Sequence, residues 1–243
     1  MLSPSLSKPL VPLDREFLLR GVELSKPNGL PVIHAINLLP KKIIPFSTAM
    51  QSEWKDFDCW VCFYERDSGF ERLWNHPMNY LERLKRFQGI ISPDYSLSIY
   101  DDPITQFRQI FRGRVLAAWM EVNGIPVIAN VRYANLESLP FCCEGIPCGN
   151  VFSVGTLGCL QKKEFWLAVK EGVDYSVGLL NPQTIVVYGG CPMQIFGRYR
   201  QQGIQILSFE SQTRQRLDEA KARRRQADFQ KQDALQGRLF EWD

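Results

Sequence analysis

The chain has 243 residues, 45% of them apolar and 23% charged, with a formal net charge of +3. That is length enough to bury a sizeable core and the composition of a soluble globular domain. No uncharged apolar run approaches the roughly 18 residues that span a bilayer, and Met1–Ser5 shows no basic stretch leading into an apolar one. Neither a membrane span nor a secretory leader is expected, and the cytoplasm is the expected location.

The charge is unevenly placed. Residues Ser211–Gln232 hold seven basic side chains against three acids, a net of +4, so the rest of the chain sums to −1. Seven irregularly spaced cysteines predict reduced core thiols. With only His34 and His76 available, a histidine-rich metal centre is excluded on ligand supply, and no metal site is expected.

Residues 1–40 carry six prolines and little periodicity, so they predict an irregular N-terminal arm with a short extended segment at Val32–Leu38. Lys42–Ser47 and the aromatic, β-branched Asp58–Tyr64 read as the first two core strands. His76-Pro77 opens a helix with Met78, Leu81, Leu84 and Phe87 on one face, closed by Gly89. Ile90-Ile91 is a third strand. The next helix is the clearest element. Asp102 is its N-cap and Pro103 its first residue; Ile104, Phe107, Phe111, Val115, Ala118 and Val122 recur at helical steps, and Gly124 ends it.

Strands come next at Val127–Val131 and Val151–Gly155, then a helix from Gln161 to about Leu180 with Phe165, Val169 and Val173 inward. Thr184–Tyr188 is a strand, Pro192–Gln202 a short helix, Ile204–Phe209 a last strand, and Ser211–Gln232 a charged helix. Apolar runs that stop on a polar residue before a proline- or glycine-marked helix start repeat along the chain. They predict an α/β fold of alternating β/α units with a mainly parallel sheet. Polar strand ends without a phosphate-gripping glycine loop favour an incomplete barrel-like arrangement, with a doubly wound sheet as the alternative. The expected divisions are the arm at 1–40, the α/β domain at 41–210 and a basic helix and tail at 211–243.

Several strings then form an ordered set: Asp58-Cys59-Trp60-Val61-Cys62-Phe63-Tyr64-Glu65, Ser92-Pro93-Asp94-Tyr95-Ser96, Asn130-Val131-Arg132, Gly145-Ile146-Pro147, Ser153-Val154-Gly155-Thr156 and Val187-Tyr188-Gly189. In this order the chain resembles the domain-of-unknown-function family numbered 4417, which is met chiefly in phages, plasmids and integrated elements. The likeness covers about Pro45 to Gly190. It implies a mobile-element accessory protein and supplies no activity.

In β/α folds ligands gather outside the carboxyl ends of the strands. Asp94 and Ser96 lie after the third strand on a common side, although Ser-Pro-Asp is also a turn former. Asn130 and Arg132, two apart, share a face at the end of the next strand. The arginine can clamp a phosphate or carboxylate, or it can pair internally with Asp94 or Glu65. Ser153 and Thr156, and Tyr188 with Gly189, lie at two further strand ends. There backbone amides can hold an anion or simply form tight turns. Cys59-x-x-Cys62 sits on a strand, where residues three apart point to opposite faces, so the pair reads as structural thiols.

The leading expectation is a small anionic ligand, nucleotides included, bound by Asp94, Ser96, Asn130, Arg132, Ser153, Thr156, Tyr188 and Gly189. Phosphodiester hydrolysis is its enzymatic extension, without an assignable base. The alternative is a nucleic-acid- or protein-binding module acting through the tail, with Arg223, Arg224 and Arg225 on phosphates and Leu239–Asp243 docking on the body or on a partner. A structural protein without pocket chemistry is a third reading. Cofactor and oligomeric state are not assignable from these residues.

Overall fold

The structure, a computed structural model, describes residues 13–212, 214, 217, 220–223 and 225–226. The chain divides into two compact units between Phe209 and Glu210. In the first, seven parallel strands succeed one another in space in the same order as in the chain. Strands β1 (Ile43–Pro45), β2 (Trp60–Cys62), β3 (Gly89–Ile91) and β4 (Val127–Ile128) form one sheet, and β5 (Val151–Gly155), β6 (Thr184–Tyr188) and β7 (Gln205–Phe209) form another. A single parallel bridge, Asn130 with Ser153, joins them. Val131 N–H donates to the Ser153 carbonyl and Ser153 N–H to the Ala129 carbonyl, each at 2.8 Å. No pairing among the described residues joins β7 to β1, so the barrel is not closed.

The two faces of this curved sheet bury different partners. Outward residues such as Ile44, Val61, Phe63, Ile90, Val127, Phe152, Val154, Ile185 and Val187 pack with side chains of the surrounding helices. Inward residues pack on one another: Ile43, Trp60, Cys62, Tyr64, Ile91, Ile128, Val151, Val186 and Tyr188 make a separate cluster, to which Ile36, Leu207 and Phe209 are added from its margin. An inner cluster built almost wholly from strands, with helices on the other face, is the arrangement of a β/α barrel. A doubly wound sheet would carry helices on both faces. The architecture is thus the incomplete barrel of the two expected alternatives.

Two glycines make room inside. A Cβ on Gly89 would lie 2.7 Å from the Trp60 indole, and one on Gly155 would lie 2.4 Å from the Tyr64 ring. Cys59 belongs to the outer core and Cys62 to the inner cluster, as opposite strand faces require. Burial pushes the Cys59 thiol up to about 11 and the Cys62 thiol up to about 12.

The helices are α1 (Phe46–Ala49), α2 (Asp67–Asn75), α3 (Met78–Leu84), α4 (Pro103–Val122), α5 (Leu139–Cys142), α6 (Lys163–Leu180) and α7 (Met193–Gln201). Helix α4 begins as its sequence dictates, with the Asp102 carboxylate accepting from Ile104 and Thr105 N–H. Its end residues depart from expectation: Ile104 and Val122 are exposed, as is Met78 at the start of α3. At an element's ends the apolar period continues after the core has stopped. The first strand is shorter than expected, because the chain turns into α1 at Phe46. Helix α2 has no counterpart among the expected elements; it buries Phe70, Leu73 and Trp74 at helical spacing.

Residues 20–42 hold no regular element beyond an isolated bridge between Leu24 and Pro31, and Val32–Leu38 forms no strand. This stretch is nonetheless packed. Leu30 and Ile33 are buried, as is Leu18 in the preceding 3₁₀ turn, Leu13–Leu19.

Candidate functional site at the strand mouth

Toward the carboxyl end of the barrel, polar side chains come from four neighbouring strands or the residues that follow them. Tyr64 comes after β2, Asp94 after β3, Asn130 after β4, and Ser153 lies in β5. Their side chains form one hydrogen-bonded line. Ser153 Oγ and Tyr64 Oη are 2.7 Å apart, Tyr64 Oη donates to Asn130 Oδ1 at 2.9 Å, and Asn130 Nδ2 donates to Asp94 Oδ1 at 2.6 Å. Two more bonds fix the line. Ser153 Oγ reaches the Val186 carbonyl at 3.1 Å, and Ser92 Oγ accepts the Asn130 N–H at 2.7 Å. The Tyr64 ring is held by stacking on Tyr188, with centroids 5.3 Å apart and planes 17° from parallel.

Arg132 completes the group. Its Nε lies 3.4 Å from Asp94 Oδ1, an ion pair in which the Asp94 side chain is 12% exposed and Arg132 22%. That Nε is buried and makes no hydrogen bond. Burial lifts the Asp94 carboxyl above its ordinary value, although Arg132 and Asn130 pull the other way. Burial is the largest single influence on Arg132 and would lower it, but Asp94 together with Cys159, Tyr64 and Asp67 outweighs it and the net displacement is upward. Tyr64 is held well above the usual phenol range, by burial first and the nearby Asp94 charge second. The line ends on the Arg132–Asp94 pair facing a cleft of about 440 Å³, whose lining includes Glu65, Arg66, Asp94, Ser96, Arg132 and Gly155.

The expected site residues divide into two groups. Asp94, Asn130, Arg132 and Ser153 come together in the network, and the internal Arg132–Asp94 pair exists alongside the open face of the arginine. Ser96 lines the same cleft, yet its N–H and hydroxyl both donate to the Asp67 carboxylate, at 3.0 and 2.8 Å. Thr156 and Gly189 tie the loops after β5 and β6 to their neighbours. Thr156 N–H donates to the Tyr188 carbonyl, its hydroxyl donates to the Gly190 carbonyl, and Gly189 N–H donates to the Phe209 carbonyl. Those two amides already have backbone acceptors. Tyr188 is buried and contributes its ring.

Tyr64 and Asp67 are not among the expected site residues. Tyr64 sits in a run of aromatic residues that reads as core, and no spacing rule reveals that its hydroxyl crosses the barrel to β4 and β5. Glu65, which also borders the cleft, accepts the Ser47 N–H at 2.9 Å. Among the described residues no group of three or more His, Cys, Asp or Glu side chains is placed to hold a metal ion, and no helix is long and apolar enough to cross a membrane. Of the tail arginines, Arg223 and Arg225 are exposed on helical residues; Arg224 and Leu239–Asp243 lie outside the described residues.

The chain is similar to the Gene 1 protein of Mycobacterium phage L5, at 28% identity over 127 residues that cover 52% of this chain and 56% of that protein. It is also similar to the Gene 1 protein of Mycobacterium phage D29, at 24% identity over 127 residues, covering 52% and 47% respectively. It thus spans about half the length of the curated relatives it matches. No solved structure matches it. The family model described as Domain of unknown function (DUF4417) matches residues 22–210, which take in every strand of the barrel and all of the mouth, and the chain belongs to that family.

Proposed function

We propose that this protein is a phage or mobile-element accessory protein that binds a small anionic ligand at the mouth of its strands, with Arg132 as the anion-binding group. The observation that supports this reading is one hydrogen-bonded group in which Tyr64, Asp94 and Arg132 line a single cleft while buried Asn130 and Ser153 hold Tyr64 and Asp94 from behind. Burying a polar line costs free energy unless every member is satisfied. Here Tyr64, Asn130 and Ser153 are satisfied within the line, while Arg132 lines the cleft with its Nε making no hydrogen bond. Within the enzymatic extension, Asp94 is the candidate general base, being a carboxyl lifted by burial beside a cation.

Inorganic phosphate is the first probe. Titrated into the native chain, it should raise the thermal midpoint in proportion to the logarithm of its concentration above Kd, corresponding to about 2.7 kcal/mol at a hundredfold excess over Kd. Arg132→Gln should lose that rise while retaining a cooperative transition. An equal rise in the variant would overturn the assignment.

A further inference from the structure

The cleft at the mouth does not stop at Arg132. A second cavity, of about 360 Å³, lies between α6 and the ends of β4 and β5, and Arg132, Gly155, Leu157 and Gly158 line both spaces. Its existence is a consequence of how α6 is seated. Val173, Ser176 and Leu180 in the second half of the helix are buried, whereas Phe165, Ala168 and Val169 in the first half are only partly so. The helix stands away from the sheet at its start, and the space beneath is walled by Val131, Val154, Phe165, Val169 and Val173. One of the few polar side chains there, Tyr133, gives its hydroxyl to Glu171 at 3.2 Å. An apolar space of this size beside a partly exposed guanidinium is the form of a small-molecule site with one orienting charge.

We infer that the two spaces take a single amphipathic ligand: an aryl or short acyl body under α6 and one carboxylate, sulfonate or phosphate on Arg132. The inference rests on the anion-binding reading of the mouth and adds the chemistry of the rest of the ligand. A nucleobase fits poorly. Its edge donors and acceptors would face valine, leucine and phenylalanine walls and lose their hydrogen bonds to water without replacement. A plain inorganic anion would leave the apolar space unused. An aryl or acyl body exchanges that space for burial of its own apolar surface, while Arg132 fixes which end faces the cleft.

The test uses 8-anilinonaphthalene-1-sulfonate, an aryl body with one sulfonate, on the full chain, monitored by its fluorescence and competed with decanoate or adenosine monophosphate. Saturable binding at one site is expected, with decanoate displacing the dye at lower concentration than the nucleotide. Ala168→Phe, which fills the cavity, and Arg132→Gln should each weaken dye binding by about tenfold or more. Ala168→Leu serves as the milder filling variant should the phenylalanine impair folding. Dye affinity unchanged within about twofold in the filled variants, or a nucleotide that competes better than decanoate, would overturn the inference. The two readings fail separately. Phosphate binding that needs Arg132, with dye binding indifferent to cavity filling, removes the apolar subsite and leaves the anion site. Phosphate binding that ignores Arg132 removes the anion site itself.

Discussion

Tyr64→Phe isolates the polar line inside the barrel, because it deletes one oxygen and leaves the ring. The stack on Tyr188 and the fit over Gly155 are kept. Two contacts are lost, at 2.9 Å to Asn130 Oδ1 and 2.7 Å to Ser153 Oγ. They are not equivalent. Ser153 keeps the Val186 carbonyl as a partner, so its hydroxyl remains satisfied. Asn130 Oδ1 has no second donor among the described residues, and with Asn130 5% exposed, water does not readily replace the phenol. Orphaning a buried acceptor costs about 1–3 kcal/mol, so a loss of about 2 kcal/mol is expected. With a urea m-value of about 2 kcal/mol/M, the midpoint should fall by about 1 M with m unchanged. In an Asn130→Ala background the same substitution should cost less, because the acceptor it orphans is already gone; the coupling should exceed about 0.5 kcal/mol. A single-variant loss under about 0.5 kcal/mol, or strict additivity in the double variant, would show that the line is not formed as described.

Gly155→Ala should destabilise by about 1–3 kcal/mol in the same urea assay, since the added methyl must displace a Tyr64 ring held by stacking and hydrogen bonds; a neutral effect would mean the ring is free to move. Asp94→Asn should change the pH dependence of stability. The folded Asp94 holds its proton more tightly than the unfolded chain, because burial raises its pKa. Its ionisation therefore opposes folding, with no cost below about pH 4 and the full cost above the raised folded-state value. Relative to Asp94→Asn, the native chain should lose stability as pH rises from about 4 toward neutrality, and a gain over that window would contradict the burial seen here.

The strands are legible in the sequence, and their curvature only partly. Runs such as Thr184–Tyr188 are buried on both faces, so they show no alternation that would say which face meets helices. In the sequence the choice between barrel and doubly wound sheet therefore rests on the loop residues after each strand. Helix α2 is easily missed because its helical spacing rests on three apolar residues alone, Phe70, Leu73 and Trp74, which span little more than one turn. At the mouth, Asn130 and Arg132 are readable because residues two apart share a face of an extended run, even though the strand itself ends at Ile128, short of the expected Val131. Asp94 is readable because it comes after an apolar run. Tyr64 is not, since its role depends on the bridge that sets Asn130 opposite Ser153, a pairing between segments 153 − 130 = 23 positions apart. Ser96 is readable as a cleft residue, while its engagement by Asp67 belongs to tertiary structure alone.

The single bridge between the two sheets has a mechanical consequence. Every other neighbouring pair of strands is sewn by a ladder, while β4 and β5 meet at one rung, and the side chains of that rung, Asn130 and Ser153, are the ones clasped by Tyr64. The phenol hydroxyl therefore works as a rivet across the weakest seam of the wall. Breathing of the sheet should begin there, with the amides of Val131 and Ser153 exchanging with solvent ahead of those in the middle of β6. A ligand seated on Arg132 would sit astride that seam and slow the exchange on both sides of it, so occupancy of the mouth would be felt as stiffness of the wall below.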